Sequence, residues 1–385
     1  MIPYGRQDIS QADIDAVSQV LRSDFLTQGP AVPRFEQAVA ARVRARHALA
    51  VNSATSALHI ACLALGLRPG EMLWTVPNTF VASANCARYC GADVDFVDMD
   101  PDTWNLSVSK LADKLSAERR SGRLPRIVVP VHFSGQPTDQ EAIHELGREF
   151  GFKIIEDASH AIGAARNGEP VGSCRWSDVT IFSFHPVKII TTAEGGMALT
   201  NDDALAAELA MLRSHGITRD AARFQQPAQG GWYYEQQTLG FNYRITDLQA
   251  ALGSSQLERL DAYIARRNQL ARRYDAALAS LPLQLPKVLP QNLSAFHLYV
   301  VRLHEADARR HRGVYDGLRE RGIGVNLHYL PVHLQPYYRG LGFVPGQFPE
   351  AEKHGATAVT LPLYPAMTEA QQDQVVRALG EVLAK

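Results

Sequence analysis

The chain has 385 residues, 46% of them apolar, and its 39 Lys and Arg against 40 Asp and Glu leave a formal net charge of -1. That length and composition suit two packed domains with a sizeable core. The near-neutral balance argues against a nucleic-acid partner, because gripping a phosphate backbone takes a basic excess, and no apolar run approaches the roughly 20 residues that cross a bilayer.

Residues Met1 to Asp8 lack the basic-then-apolar layout of an export signal, so a cytoplasmic location is expected. Cys62, Cys86, Cys90 and Cys174 are too few for a disulfide framework in a chain of this length and are read as reduced packing residues. Cys86 and Cys90 would share one face of a helix, but two thiols without further ligands make a poor zinc site, and no metal is expected.

Ile14, Val17, Val20 and Leu21 recur at helical spacing behind Ser10, a good N-cap. After the turn-rich Thr27-Gln28-Gly29-Pro30, a second helix is predicted through Phe35, Val39 and Val43. His47 to Asn52 reads as a buried strand, followed by a helix that opens near Ser53 and runs through Leu58, Ile60, Leu63 and Leu65. Further strand-length apolar runs follow at Val94–Val97, Ile127–Val131, Ile154–Ile155, Val179–Ser183 and Met197–Thr200, with Pro130 weakening the second. Their alternation with helical stretches predicts an α/β protein with a covered, mostly parallel sheet. The pattern fades between Gly216 and Leu239, too long a stretch for a plain loop. One long helical stretch from Asp247 through Tyr274 is expected to link two domains, with the boundary near residue 255. That divides the chain into a large cofactor-binding domain (1–255) and a smaller C-terminal α/β domain (256–385) with a strand near His297–Arg302 and helices near Arg312–Leu318 and Glu369–Leu383.

Two stretches carry chemistry. Ile154-Ile155-Glu156-Asp157-Ala158-Ser159-His160 places an acid just beyond a buried strand, and Ser183-Phe184-His185-Pro186-Val187-Lys188 places a serine and a lysine beyond another. The carboxyl ends of strands in an open α/β sheet are where ligands bind. A lysine amine condenses with an aldehyde only when neutral, which asks for a desolvated site. Pyridoxal phosphate works as an electron sink when its ring nitrogen is protonated, a state that a facing carboxylate stabilises. Lys188 and Asp157 are the candidates for those two tasks. Ser53-Ala54-Thr55, opening a helix after a strand, offers amides and hydroxyls to a phosphate, and Ser183 offers another hydroxyl. Each feature alone has a bland reading as a surface lysine, a turn acid or a helix cap; their order along one chain is what makes them specific.

That order resembles the sugar aminotransferases of the DegT/DnrJ/EryC1/StrS family, of fold-type I. The resemblance runs from Leu26-Thr27-Gln28-Gly29 through Asn52–Leu58, Glu156–Ala161, Ser183–Lys188, Glu194-Gly195-Gly196, Arg213–Gly216 and Gly240–Arg244 to Leu327–His333. It implies pyridoxal 5'-phosphate held by Lys188 as a Schiff base, with Asp157 facing the pyridine nitrogen. It implies a phosphate held by Ala54, Thr55 and Ser183, and Phe80 stacked on the ring, where core packing is the bland alternative. His160 would lie near the phenolic oxygen or ring face. Asn242 would reach the phosphate of a neighbouring subunit, giving a homodimer with shared active sites. The sugar contacts implied are Tyr4, Asp24, Phe25, Leu26, Thr27, Asn326, Leu327, His328 and Tyr329. His185 and His215 sit in family phrases without an assignable step.

Some members of the family it resembles carry histidine at the lysine position and perform dehydration, so Lys188 here implies amino transfer. Leu73–Asn85 and Asn326–Tyr329 resemble the branch of the family that acts in pseudaminic acid biosynthesis. The implied reaction moves the amino group of L-glutamate to C4 of a UDP-linked 4-keto-6-deoxy-N-acetyl hexosamine. The alternative is another 4-keto sugar nucleotide, such as the UDP-4-keto-pentose of the 4-amino-4-deoxy-L-arabinose pathway.

Overall fold

The computed structural model describes residues 1–384. Seven strands form the central sheet: β1 (His47–Val51), β2 (Met72–Thr75), β3 (Asp93–Phe96), β4 (Ile127–Val129), β5 (Lys153–Asp157), β6 (Val179–Ser183) and β7 (Gly196–Thr200). Their order is β1-β7-β6-β5-β4-β2-β3. The five strands from β6 to β3 run parallel, and β7 is antiparallel to both β1 and β6. The parallel strands therefore deliver their carboxyl ends, including Asp157 and Ser183, to one edge.

Side-chain alternation explains why such strands read as continuous apolar runs. In β6, Ile181 enters the core on one face of the sheet and Phe182 the core on the other. One face carries Leu58, Ile60, Trp74, Phe96 and Ile155, and the other Phe35, Val39, Phe184 and Met197. β4 stops at Val129 because Pro130 has no N–H to donate, yet the Pro130 carbonyl still accepts from the Asp157 amide at 2.9 Å. β2 was not among the expected strands.

Helices α1 (Gln11–Leu21), α2 (Ala31–Val43), α3 (Ala54–Ala64), α4 (Ala82–Tyr89), α5 (Val108–Ser121), α6 (Gln140–Phe150), α7 (Asp203–Arg213) and α8 (Asp247–Leu257) surround this sheet. Ser10 caps α1 in a reciprocal capping box with Asp13. Of its apolar stripe α1 fully buries only Val20. Ile14 and Leu21 are 50% and 58% exposed, whereas Asp13 is buried and accepts from Ser255 and Gln256 and pairs with Arg259.

The same contacts correct the expectation of one helix from Asp247 to Tyr274. The segment is α8 and then α9 (Leu260–Leu278), broken at Glu258-Arg259. Gln256 and Arg259 both turn toward the Asp8 carbonyl and the Asp13 carboxylate, a tertiary demand that periodicity does not display. Leu260, Tyr263 and Ile264 of α9 pack with the central sheet, and Leu270, Tyr274 and Leu278 with a second one.

That second sheet is antiparallel, in the order β8 (Leu283–Gln284), β9 (Tyr299–Leu303), β10 (Ala358–Leu361). Helices α10 (Ala308–Glu320), α11 (Pro336–Arg339), α12 (Pro349–Thr357) and α13 (Glu369–Leu383) complete the chain. Val314, Leu318, Val375 and Leu379 pack onto this sheet. The N-terminus joins it: Ile2 exchanges hydrogen bonds with Gly322 and Gly324, and Leu363 N–H donates to the Tyr4 carbonyl. Between Gly216 and Leu239 the only ladder is a two-residue pairing of Ile217–Thr218 with Glu235–Gln236, and Trp232 beyond it is exposed. All four cysteines are buried and unpaired. No helix among the described residues is long and apolar enough to cross a membrane.

Candidate active site

Asp157 is the last residue of β5 and is buried. Its Oδ2 accepts from Ser83 Oγ at 2.6 Å and its Oδ1 from the Ser159 amide at 3.1 Å. Ser83 Oγ in turn lies 2.8 Å from Thr79 Oγ1. Two donors leave lone pairs on the carboxylate for a further N–H. Lys188 follows β6 on a loop pinned from several sides. The Phe184 amide donates to Gly195, Thr192 N–H and Thr191 Oγ1 donate to the Phe184 carbonyl, and Lys188 N–H donates to the His185 carbonyl. Burial lowers the Lys188 pKa to about 8 from 10.5, against an upward pull from the Asp157 carboxylate. An amine so placed is neutral in useful amounts near neutral pH, which is what condensation with an aldehyde requires.

The start of α3 faces the same space. Ser53 is its N-cap, its Oγ accepting from the Ser56 amide at 3.1 Å, and the first helical residues, Ala54 and Thr55, line the cavity. Their amides belong to the unpaired first turn that attracts anions. Gly196 lets the helix come this close, since a Cβ there would stand 2.4 Å from the Ala54 nitrogen. Gly196 pairs with Ser183, whose side chain reaches the same end of the cavity. Phe80 lines the cavity with its ring 59% exposed, so core packing does not account for it.

The remaining wall comes from the second sheet's connections and the N-terminus. Tyr4, Asn326, Leu327, His328 and Tyr329 all line the cavity, whose volume is about 490 Å³. Tyr4 stands 5.5 Å from the His328 ring, ring centre to ring centre. Tyr329 N–H donates to Asn78 Oδ1 at 3.1 Å, and the Tyr329 hydroxyl is 3.2 Å from His160 Nε2. Burial, reinforced by Lys188, holds His160 well below its ordinary pKa and His328 down at about 3, so both rings are neutral.

Sequence reading assigned no role to several residues found here: Ser83 and Thr79 behind Asp157, and Glu194, His297 and the exposed His185 in the cavity wall. His297 stood at the start of an expected strand, and nothing in Ala295-Phe296-His297-Leu298 signals its direction. Asp24, Phe25, Leu26, Thr27 and Asn242 are exposed and do not line the Lys188 cavity of their own chain. The early loop is clamped instead by buried Asp247, which accepts from the Gly29 and Ala31 amides at 2.7 and 2.8 Å. Phe25 borders a wider groove of about 1140 Å³ between α1, α2 and α8.

A desolvated lysine, an oriented carboxylate, a helix start backed by Ser183 and an open aromatic ring fit pyridoxal phosphate as one donor set. Comparison with known proteins agrees. The profile of the DegT/DnrJ/EryC1/StrS aminotransferase family matches residues 7–380. The spore coat polysaccharide biosynthesis protein SpsC of Bacillus subtilis is 38% identical over 386 residues, covering 99% of this chain and 97% of that protein. The solved sugar aminotransferase Spr1654 of Streptococcus pneumoniae, described as putative and in its PMP form, superposes with a TM-score of 0.91 at 28% identity, covering 100% of this chain and 99% of its own. Helicobacter pylori PseC, an aminotransferase of pseudaminic acid biosynthesis, superposes with a TM-score of 0.91 at 27% identity and the same coverage.

The chain belongs to this family of sugar aminotransferases. It is an enzyme, and its cofactor is pyridoxal phosphate.

Proposed function

We propose that this enzyme transfers the amino group of L-glutamate to C4 of a UDP-linked 4-keto-6-deoxy-N-acetyl hexosamine, the amination step of pseudaminic acid biosynthesis, in the cytoplasm. The observation that carries the reading is one cavity shared by the Lys188–Asp157 pair and a neutral polar wall of Tyr4, Asn326, His328 and Tyr329. The likeness to PseC, whose pathway this is, supports the choice of sugar.

Bound pyridoxal phosphate supplies the electron sink that makes a carbon next to the transferred nitrogen acidic. The residues of the chain do the rest. Lys188, in its neutral amine form, would take and return the proton at the donor's α carbon. Asp157, oriented by Ser83 and Ser159, would keep the ring nitrogen of the cofactor protonated. Ala54, Thr55 and Ser183 would hold the phosphate, and Phe80 would lie against the ring. His160 is kept neutral, so it can bond to the Tyr329 hydroxyl without competing with Lys188 for charge.

The proposal includes a homodimer. Asn242 and the Asp24–Thr27 loop are exposed, away from their own cavity, where they are free to serve the site of a second copy.

The test is turnover of a panel of UDP-linked 4-keto sugars with L-glutamate, the product identified by NMR. A 4-amino-hexosamine product is expected. Turnover of the 4-keto pentose alone would move the enzyme to the 4-amino-4-deoxy-L-arabinose reaction, and turnover of no sugar nucleotide would sink the proposal.

A further inference from the structure

His297 lines the cavity, is 5% exposed, and has no part in the reaction as described so far. Its ring centre is 4.4 Å from that of His160. The pair is set by backbone packing. Gly135, at φ 99°, is wedged between the His160 carbonyl and the Phe296 amide, where a Cβ would approach to 2.8 and 2.9 Å. From behind, buried Arg267 donates through one guanidinium nitrogen to the carbonyls of Phe296, His297 and Leu363 at 3.1–3.3 Å. The His297 backbone is thereby fixed and its ring is aimed inward.

The orphaned atoms assign the protons. Nδ1 of His160 and Nδ1 of His297 are buried without a hydrogen-bond partner among the described residues. Desolvation, then Lys188, holds both rings far below the usual histidine pKa, so each carries one proton. A buried N–H without an acceptor is rarer than a buried lone pair without a donor. The proton therefore sits on Nε2 in both rings. In His160 it is donated to the Tyr329 oxygen, which frees the Tyr329 O–H to donate onward. In His297, with Nδ1 sealed, Nε2–H is the atom left to meet a ligand.

We propose that His297 is a specificity-determining residue that donates a neutral hydrogen bond to an uncharged oxygen of the sugar that accepts the amino group. This rests on the sugar-nucleotide reading above. A neutral N–H can meet an uncharged oxygen without adding charge to a cavity that Asp157, Lys188 and Glu194 already line. An unmet donor also rejects an acceptor without the oxygen, which is how a polar pocket discriminates.

The test compares the holoenzyme with its His297→Phe and His297→Gln variants. Phenylalanine keeps the ring volume without a donor; glutamine places an amide N–H at similar reach. Calorimetric binding of UDP-N-acetylglucosamine, which carries a sugar ring but no ketone, is set against binding of UDP alone. We expect His297→Phe to bind the sugar nucleotide roughly tenfold more weakly, the worth of one neutral hydrogen bond. UDP binding should stay within about twofold of wild type, and His297→Gln should recover most of the loss. Cofactor absorbance and melting temperature report whether each variant is folded and loaded. Equal sugar-nucleotide affinity in wild type and His297→Phe, or equal losses for UDP and UDP-N-acetylglucosamine, would overturn the inference alone. If wild type binds neither nucleotide, the sugar-nucleotide reading itself fails and takes the inference with it. A folded His297→Phe protein that captures glutamate as poorly as it binds the sugar would assign His297 to the donor instead and refute the inference.

Discussion

Replacing Asp157 with asparagine should push two observables in opposite directions. Lys188 feels two main influences: burial, which lowers its pKa to about 8, and the Asp157 carboxylate, which pulls it back up. At a pH of about 7.5, a pKa near 8 leaves about a quarter of the amine neutral, against about one part in a thousand for an ordinary lysine, a gain of about 240-fold in the reactive form. In Asp157→Asn the upward pull is gone, so the Lys188 midpoint falls below 8 and the apoprotein captures pyridoxal phosphate faster at a given pH. Turnover falls at the same time, by at least about tenfold, because a neutral amide no longer holds the ring nitrogen protonated. The assay mixes apoprotein with pyridoxal phosphate across the pH range, follows the absorbance of the covalent adduct, then reduces it with borohydride and maps the labelled peptide. A wild-type midpoint near 10.5, a midpoint that rises in Asp157→Asn, or a label on another lysine would each refute the reasoning. The linkage has a matching sign: an unfolded Lys188 titrates near 10.5 and the folded one near 8, so on its account the apoprotein gains stability as pH rises through that window.

Lys188→Ala is expected to fold, to bind cofactor without a covalent bond and to show no transamination; any residual glutamate-dependent turnover above background would contradict it. Ser83→Ala removes the 2.6 Å bond that orients Asp157 and should cost roughly three- to tenfold in kcat with cofactor still bound, read from steady-state kinetics. Phe80→Ala should weaken cofactor affinity by roughly threefold to tenfold while leaving the melting temperature nearly unchanged, since the ring is already 59% exposed. Co-expressed Lys188→Ala and Asn242→Asp subunits, each nearly inactive alone, should regain activity together in mixed dimers, because one site then keeps its own Lys188 and the partner's intact Asn242; a failure to complement would place Asn242 at its own chain's site.

The elements most legible in the sequence were those whose signal is local. Ser10 and Ser53 announce helix starts through cap chemistry that acts over three residues. β6 and β7 announce themselves because every residue is buried on both faces, which keeps the runs mostly apolar, with Thr180, Ser183 and Thr200 as the polar exceptions. What was hidden depends on distant partners. The break between α8 and α9 exists because Asp13, some 240 positions earlier in the chain, draws Gln256 and Arg259 toward it. α1 turns Ile14 outward for the same reason, since burying the Asp13 network fixes which face points in. In the site, Lys188 and Asp157 were readable because strand ends fix direction. His297 was not: its aim is set by Gly135 and Arg267, from a loop and a helix far apart in sequence.

The site divides its labour along this line. The edge of the central sheet supplies the groups that suit pyridoxal chemistry on any substrate: Asp157, Ser183, Lys188 and the start of α3. The groups suited to meeting a sugar come from elsewhere, from Tyr4, His297 and the Asn326–Tyr329 segment, all anchored on the second sheet or its neighbours. Ile2 pairs beside Ile323, so the N-terminus carries Tyr4 into that second wall although it lies far from it in sequence. Side chains on this wall can change without moving the strand ends that hold Lys188 and Asp157, because the two sets hang on different sheets. Substrate choice is then expected to vary within the family through the wall while the cofactor chemistry stays fixed, and substitutions at Tyr4, His297 or His328 should alter which acceptor is used before they alter the capture of cofactor.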